Sequence, residues 1–279
     1  MRRRSFSIGT LSDIGYVKKT NQDRVLIKIG EEQFGEFGLF LIADGMGGLT
    51  DGHRASELVM REFIDWWNNN LFSIINGSGE LDIDRIDREL NELIFHINKE
   101  IIRYGKSIDS KVGTTLSMLF IYRNEYIVKH IGDSRIYRIK NEVTRLTEDH
   151  SWVSEQIRQG RMNEKEAVNH PKSHVLLQCI GVRESLNIFE KKGRVLEEDI
   201  FLLCSDGFYN LLMKDEILDV VREYRVKDED IQSKVEELME KVKIRGAFDN
   251  ASVILICQNY GKEKTGIFEK LKALVSYWG

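Results

Sequence analysis

The stretch Gly38-Leu-Phe-Leu-Ile-Ala-Asp-Gly-Met-Gly-Gly48 joins an apolar run to an acidic, glycine-rich turn. The run from Gly38 to Ala43 carries no charge and predicts a strand. Asp44 follows it, and the glycines after Asp44 lack side chains, so a backbone carbonyl group can come close to a ligand. The strand therefore predicts a buried element of the fold, and its end predicts a place for chemistry.

Acidic turns recur beside other predicted strands. They are Phe201-Leu-Leu-Cys-Ser-Asp206-Gly207, His130-Ile-Gly-Asp133-Ser-Arg135, Asp249-Asn250 and Asn21-Gln22-Asp23. Each one alone is explained as a turn, because aspartate bonds its own backbone and glycine accepts a positive φ. Together, carboxylates at one edge of a sheet core would repel one another, and a bound cation would remove that cost. Oxygen ligands without cysteine favour Mg²⁺ or Mn²⁺ over Zn²⁺.

The pattern of apolar residues predicts an α+β fold. Strands are predicted at 5–11, 24–29, 38–43, 114–122, 126–131, 135–139, 200–204 and 251–257, and helices at 53–68, 83–101, 152–159, 214–223 and 230–243. The strands between 114 and 139 are joined by short connections, which force antiparallel pairing. The single proline, Pro171, argues against a proline-rich linker, and we expect one domain.

Composition restricts the class of protein. The chain has 279 residues and a formal net charge of -4 without a long basic stretch, which argues against nucleic acid as a partner. No run approaches the roughly 20 apolar residues of a membrane span, and no apolar run follows the basic start, so a cytoplasmic protein is expected. The cysteines, Cys179, Cys204 and Cys257, lie far apart and are expected to be buried, reduced thiols.

In addition to these features, several motifs occur in the order of a known family. They are Gly15-Tyr-Val-Lys-Lys-Thr-Asn-Gln-Asp23, Ala43-Asp-Gly-Met-Gly-Gly48, Gly113-Thr-Thr115, Ile131-Gly-Asp-Ser-Arg135, Leu146-Thr-Glu-Asp-His150, Asn169-His-Pro171, Cys204-Ser-Asp-Gly207 and Asp249-Asn250. From about Ser5 to about Cys257 the sequence resembles the metal-dependent PPM, or PP2C-type, protein serine/threonine phosphatases in their bacterial form. The resemblance implies an α-β-β-α sandwich, in which helices flank two central antiparallel β-sheets. It places a phosphatase domain at 1–260, with a flap at about 146–181, before an amphipathic tail at 261–279.

The resemblance also implies a metal centre with two Mn²⁺ or Mg²⁺ ions and a weaker third position. Asp44 would bridge the two ions, and the Gly45 carbonyl group would hold one of them. Asp206 and Asp249 would bind the other ion, and Asp133 would serve the third position together with Asp206. The implied reaction is hydrolysis of phosphoserine or phosphothreonine in proteins by a metal-activated water, in opposition to a Ser/Thr kinase.

Two further roles follow from the resemblance, and two positions depart from it. Asp23 would accept hydrogen bonds from metal-bound waters, and Lys18 would contact the phosphate. Members of the family usually carry arginine at the position of Lys18 and glutamate at that of Gln22. As in other bacterial members, Met46 stands where animal members have a histidine thought to protonate the leaving group. Two alternatives stay open: a weakly active or non-catalytic phosphoprotein-binding domain, and another two-metal phosphoesterase such as a nuclease.

The remaining histidines and the tail receive structural interpretations. His170 and His174 have the i, i+4 spacing of a zinc pair, but Pro171 between them favours a turn. His96 and His130 are expected to be structural. The tail places Ile267, Leu271, Leu274 and Trp278 on one helical face, which predicts docking on the domain itself or binding of a partner.

Overall fold

The computed structural model describes residues 3–47, 51–74, 80–168, 170–227 and 230–261. Within these ranges the chain forms a mixed α/β structure. Its strands are β1 (Arg3–Asp13), β2 (Asp23–Glu32), β3 (Gly35–Gly47), β4 (Val112–Thr114), β5 (Leu116–Tyr122), β6 (Glu125–Ile131), β7 (Arg135–Ile139), β8 (Val143–Arg145), β9 (Phe189–Arg194), β10 (Ile200–Cys204) and β11 (Ala251–Gly261). Its helices are α1 (Gly52–Asn69), α2 (Ile83–Ser107), α3 (Trp152–Arg158), α4 (Glu164–Val168), α5 (Asp206–Tyr209), α6 (Lys214–Lys227) and α7 (Ile231–Ile244), with a 3₁₀ helix at Leu71–Ile74.

The strands follow one curled path with two halves. Its order is β8-β7-β10-β11-β1-β3-β5-β6-β9, and β2 and β4 also pair with β3. Neighbouring strands are antiparallel except β1 and β3, which share the single parallel pair Arg4–Gly35. Gly35 has a φ of 111°, and a Cβ there would lie 2.3 Å from the Arg4 carbonyl oxygen. The crossing between the two halves therefore requires glycine.

Three hydrophobic clusters show how the elements are layered. The first contains Phe63 of α1 and Leu41 of β3, and the second contains Leu238 of α7 and Leu255 of β11. The third lies between the two halves of the sheet, because it combines alternate residues of β3 with alternate residues of β10 and β11. Both faces of these strands are thus buried, which explains their continuous apolar sequences.

The structure confirms the coarse prediction of an α+β fold with antiparallel strands covered by helices. The finer prediction of two separate sheets stays a prediction, because the Arg4–Gly35 pair joins both halves into one path. Sequence reasoning missed β9, whose residues Phe189-Glu-Lys-Lys-Gly-Arg194 are mostly exposed at the end of the sheet. Charged edge strands of this kind lack the apolar alternation that identifies a strand. It also missed the three-residue β8 and the short α4 and α5.

Other expectations have mixed outcomes. The three cysteines, all within the described residues, form no disulfide bond, but only Cys204 is buried, so the prediction of buried thiols was wrong for Cys179 and Cys257, which are partly exposed. Among the described residues, no helix is both long and apolar enough to cross a bilayer. The predicted tail helix lies beyond Gly261 and so falls outside the described residues. Gly48 of the glycine-rich motif is also outside the described residues.

Candidate active site

Five aspartates predicted from the sequence lie at the ends of neighbouring strands. Asp23 at the start of β2 pairs directly with Asp44 near the end of β3. Asp206 follows β10 and begins α5, while Asp249 comes just before β11, and these two strands are paired. Asp133 lies in the connection between β6 and β7. The fold therefore gathers at one edge carboxylates that are up to 226 residues apart in sequence (249 minus 23).

The electrostatics show that these carboxylates act on one another. Burial raises the pKa of Asp44 well above its ordinary value, and the charges of Asp23, Asp206, Asp133 and Asp249 raise it further. Burial and then the charge of Asp206 raise the pKa of Asp133 to about 8. Each effect has the sign expected for carboxylates crowded together away from water. A divalent cation between them would reverse this repulsion.

Unsatisfied oxygen atoms indicate the same kind of ligand. Within the described residues, the Oδ1 atom of Asp206 is buried and accepts no hydrogen bond. A buried carboxylate oxygen without a donor costs free energy, and a cation would offset that cost. Among the described residues, no group of three or more His, Cys, Asp or Glu side chains is already arranged to hold a metal ion. Carboxylate oxygens are nevertheless the donors that Mg²⁺-type ions prefer, and such ions often take one or two carboxylates and keep several waters. The residues present fit such ions.

The backbone at Asp44 and Gly45 is fixed from several sides. The Asp44 N–H donates to the Thr115 hydroxyl at 2.9 Å, and its carbonyl accepts hydrogen bonds from the Thr115 N–H and the Thr114 hydroxyl, each at 2.9 Å. A Cβ at Gly45 would lie 2.2 Å from the Gly52 carbonyl oxygen, so the start of α1 packs against bare backbone. The residues predicted to hold the ions thus belong to a rigid strand end.

Lys18 reaches the carboxylate cluster. Its Nζ atom lies 2.6 Å from Oδ1 of Asp249, and each of the two side chains is 43% exposed. Burial would lower the pKa of Lys18, but the hydrogen bond with Asp249 and the charges of Asp249, Asp44 and Asp206 outweigh it and raise that pKa. The side chain predicted to contact phosphate is therefore paired with a side chain predicted to bind metal.

Several supporting polar groups were not predicted as site residues. The Ser205 hydroxyl donates to Oδ2 of Asp23 at 2.8 Å. The Asn250 amide accepts from the Gln22 N–H at 2.9 Å and donates to the carbonyl groups of Ile14 and Thr20. Asn250 thus fixes both ends of the loop that carries Lys18. One indication of their role was present in the sequence, because Ser205 and Asn250 each stand beside one of the clustered aspartates.

Arg135 connects three parts of the site. Its guanidinium group bonds both carboxylate oxygens of Asp149, at 3.1 and 2.7 Å, in a bidentate pair. It also stacks over the Tyr209 ring at 3.6 Å from the centroid. Tyr209 belongs to α5, the helix that begins at Asp206, and Asp133 lies two residues before Arg135. One side chain therefore links the elements that carry Asp133 and Asp206.

The predicted flap begins and ends beside the site. His150 donates its N–H to the Gly132 carbonyl at 2.7 Å, next to Asp133, and Ile180 exchanges two backbone hydrogen bonds with Thr114. The His170 ring stacks on Trp152 at 4.9 Å, which is a structural contact. Burial and then the charge of Asp249 raise the pKa of Asp206, and the backbone hydrogen bond of Gly207 and the nearby His174 oppose this only in part. The segment 146–181 borders the cluster, and its role as a flap stays a prediction.

The two remaining histidines differ in their surroundings. His130 is fully buried, with its ring nitrogens 2.9 Å from the Ser117 hydroxyl oxygen and 3.0 Å from the Gly132 carbonyl oxygen. Burial lowers the pKa of His130 to about 3, so its ring is neutral. His96 is largely exposed on α2, 3.7 Å from a carboxylate oxygen of Glu62. His130 thus has the contacts of a structural histidine.

Comparison with known proteins identifies the family. A family model described as protein phosphatase 2C matches residues 16–242. This chain belongs to the protein phosphatase 2C family. A relative named serine/threonine phosphatase stp, from Listeria innocua, is 33% identical over 79% of this chain and 84% of its own length. The family resemblance and the prediction of a protein phosphatase are thereby confirmed.

Solved structures of phosphatases share the fold. The serine/threonine phosphatase of S. agalactiae has a TM-score of 0.77 and 31% identity, over 90% of this chain and 99% of its own. The catalytic domain of the serine threonine protein phosphatase PstP, in complex with 2 manganese ions, has a TM-score of 0.73 over 91% of this chain and 99% of its own. At 23% identity, the second structure shows the fold alone.

Proposed function

We infer that this member of the protein phosphatase 2C family hydrolyses phosphoserine and phosphothreonine in proteins with Mn²⁺ or Mg²⁺ at the aspartate cluster. The observation that carries this proposal is the gathering of mutually repelling, buried or partly buried carboxylates at one strand edge. The printed names of the relatives support the substrate class, and the manganese complex of PstP supports the kind of ion.

Each aspartate has a proposed task in holding the ions. Asp44 at the end of β3 would serve both ions, and Gly45 would offer its carbonyl group beside it. Asp206 and Asp249, next to the paired strands β10 and β11, would hold the second ion. Asp133 would take part in a third, weaker position. When bound, the two ions would lower the pKa of a water and offset the charge of the phosphoryl oxygens.

Two further side chains have proposed tasks toward the water and the substrate. Asp23 is buried, and Ser205 fixes one of its oxygens, so its carboxylate is oriented to accept hydrogen bonds from water in the cluster. Lys18 is long and flexible, and its ammonium group can exchange Asp249 for a phosphoryl oxygen. We assign phosphate binding to Lys18 for that reason.

Lys18→Arg is expected to lower the KM for a phosphothreonine peptide about three- to tenfold, with a smaller change in kcat. Arginine presents two parallel N–H groups to two phosphoryl oxygens, whereas lysine presents one mobile charge. Steady-state kinetics at saturating Mn²⁺ measures both constants. Lys19→Arg, at the exposed neighbouring position, is the control. A KM that stays equal or rises would contradict the assignment of Lys18.

One observation favours the second candidate, a weakly active or non-catalytic phosphoprotein-binding domain. The Lys18–Asp249 pair engages both a proposed phosphate ligand and a proposed metal ligand. A phosphoprotein would then compete with Asp249 for Lys18 and could bind without turnover. Tight binding of a phosphothreonine peptide with no phosphate release at saturating Mn²⁺ would select this candidate.

The substrate class is tested by offering one phosphoester at a time to the Mn²⁺-loaded full chain. A phosphothreonine peptide, the same peptide with phosphotyrosine, and a short oligonucleotide form the set. We expect rapid phosphate release from the phosphothreonine peptide and at least tenfold lower kcat/KM for the other two. Faster cleavage of the oligonucleotide would overturn the proposal in favour of a nuclease.

A further inference from the structure

Large, exposed apolar side chains stand next in sequence to both members of the Lys18–Asp249 pair. Tyr16 and Val17 directly precede Lys18, and Phe248 directly precedes Asp249. We call the following five residues the apolar rim, with their exposed fractions: Tyr16 (69%), Val17 (65%), Met213 (69%), Ile244 (77%) and Phe248 (62%). Exposed apolar side chains grouped in this way commonly mark a binding surface, whereas single ones do not.

Hydrogen bonds and ion pairs hold the three segments of the apolar rim together. The Tyr16 N–H donates to the Ala247 carbonyl at 2.9 Å. Arg245 donates to the Leu211 carbonyl at 2.6 Å and pairs with Glu216. Glu216 in turn accepts the Met213 N–H at 2.9 Å. The segments that carry the apolar rim, including the end of α7 at Ile244, thus contact one another directly.

The exposure of the apolar rim is not the fraying of a loose chain end. Ala247 is only 1% exposed and packs in the core beneath α7. A Cβ at Gly246 would lie 2.5 Å from the Phe248 ring, so the ring rests on a glycine whose φ is 109°. This close approach requires glycine and directs the ring outward. The structure therefore holds these side chains in water at a cost that a partner would remove.

We propose that the apolar rim binds apolar side chains of the protein substrate within about three residues of the phosphorylated serine or threonine. This inference rests on the proposed function and names a substrate class for the same site. The argument for this occupant is continuity, because Val17 and Phe248 are the chain neighbours of Lys18 and Asp249. Since an extended peptide advances about 3.3 Å per residue, flanking residues reach the rim while the phosphate lies at Lys18.

Two phosphothreonine peptides test the proposal. They are identical except that the three residues on each side of phosphothreonine are Leu and Val in one and Ser and Gln in the other. The full chain with Mn²⁺ is expected to show about tenfold higher kcat/KM for the apolar peptide, a ratio typical of apolar contacts. The variant Tyr16→Ser/Phe248→Ser is expected to reduce this ratio below about threefold. Its turnover of p-nitrophenyl phosphate, which has no flanking residues, is expected to stay within twofold of wild type.

A second variant and a control keep the test independent of folding. Met213→Ser/Ile244→Ser changes the other side of the apolar rim and is expected to lower the same ratio. Phe72→Ser removes an equally exposed ring (59%) from the 3₁₀ helix beyond the far end of α1 and is expected to leave the ratio unchanged. The Tm of each variant is measured beside its kinetics.

The outcomes distinguish the possible occupants. Equal kcat/KM for the two peptides in wild type would overturn the rim proposal while leaving the phosphatase in place. No turnover of either peptide or of p-nitrophenyl phosphate would overturn the proposed function, and the rim proposal with it.

An unchanged peptide ratio in Tyr16→Ser/Phe248→Ser, with loss of a dimer in sedimentation, would assign the rim to a second copy of the chain. If the peptide ratio is unchanged in that variant and its Tm falls by as much as the Tm of a chain without residues 262–279, the apolar rim would be assigned to that segment. Each of these last two results overturns the proposal.

Discussion

Asp44→Asn is expected to lower the kcat/KM for a phosphothreonine peptide about 10³-fold at saturating Mn²⁺, which corresponds to about 4 kcal/mol of transition-state stabilisation. Asp44 is partly buried, and the charges of the other four aspartates all act on its carboxylate. The amide keeps the size of the side chain but removes its charge and one oxygen acceptor. It therefore cannot bridge two cations, and turnover measured by phosphate release should collapse.

The matched control is Asp65→Asn, which makes the same chemical change on an exposed position of α1. Its kcat/KM is expected to stay within twofold of wild type. Retention of more than a tenth of wild-type activity by Asp44→Asn would contradict the central position given to that carboxylate.

Although Asp44→Asn is expected to lower activity, it is expected to stabilise the folded protein when metal is removed. With a chelator at pH 8, Asp44→Asn should raise the Tm by several degrees, because about 1 kcal/mol moves the Tm of a chain this size by roughly 2–4 °C. The physical reason is the loss of one partly buried charge that four neighbouring carboxylates repel. With saturating Mn²⁺ the order should reverse, since wild type gains more from binding the ion.

The pH dependence of the metal-free protein follows from the same shifts. The pKa of Asp133 is raised to about 8 and that of Asp23 to about 6, in both cases mainly by burial. The folded state therefore binds more protons than the unfolded state between about pH 4 and pH 8, and stability falls as pH rises through that range. Thermal unfolding in chelator, with Asp65→Asn as control, measures both the Tm change of Asp44→Asn and the fall in stability with rising pH. A lower Tm for Asp44→Asn in chelator would contradict the account of repulsion.

The sequence predicted most strongly those elements whose residues are buried on both faces. The strand through Leu41 and the strand through Leu202 are continuous apolar runs because helices cover one face and the other half of the sheet covers the second. The exposed strand from Phe189 to Arg194 gave no such pattern and was missed. The single Arg4–Gly35 pair depends on how two halves meet, which local residue patterns do not encode.

The candidate site shows the same division. Its aspartates were predicted because each one ends or precedes an apolar strand. Repulsion among carboxylates at one sheet edge indicates a bound cation. The pairing of Lys18 with Asp249 could not be predicted, because it depends on how the loop before β2 lies against the loop before β11. Asn250 fixes that arrangement through three backbone groups of the first loop. Such contacts between distant loops exist only in the folded chain.

The most direct test of the central claim is phosphate release from a phosphothreonine peptide as Mn²⁺ is added to metal-stripped protein, with Asp206→Asn beside wild type. Asp206 has a buried oxygen without a hydrogen-bond donor, and a cation would offset the cost of burying that oxygen. The account predicts no turnover before addition, turnover that saturates with Mn²⁺ in wild type, and at least 100-fold less turnover in Asp206→Asn. Equal turnover by folded Asp206→Asn, or turnover by wild type that Mn²⁺ and Mg²⁺ leave unchanged, would contradict it.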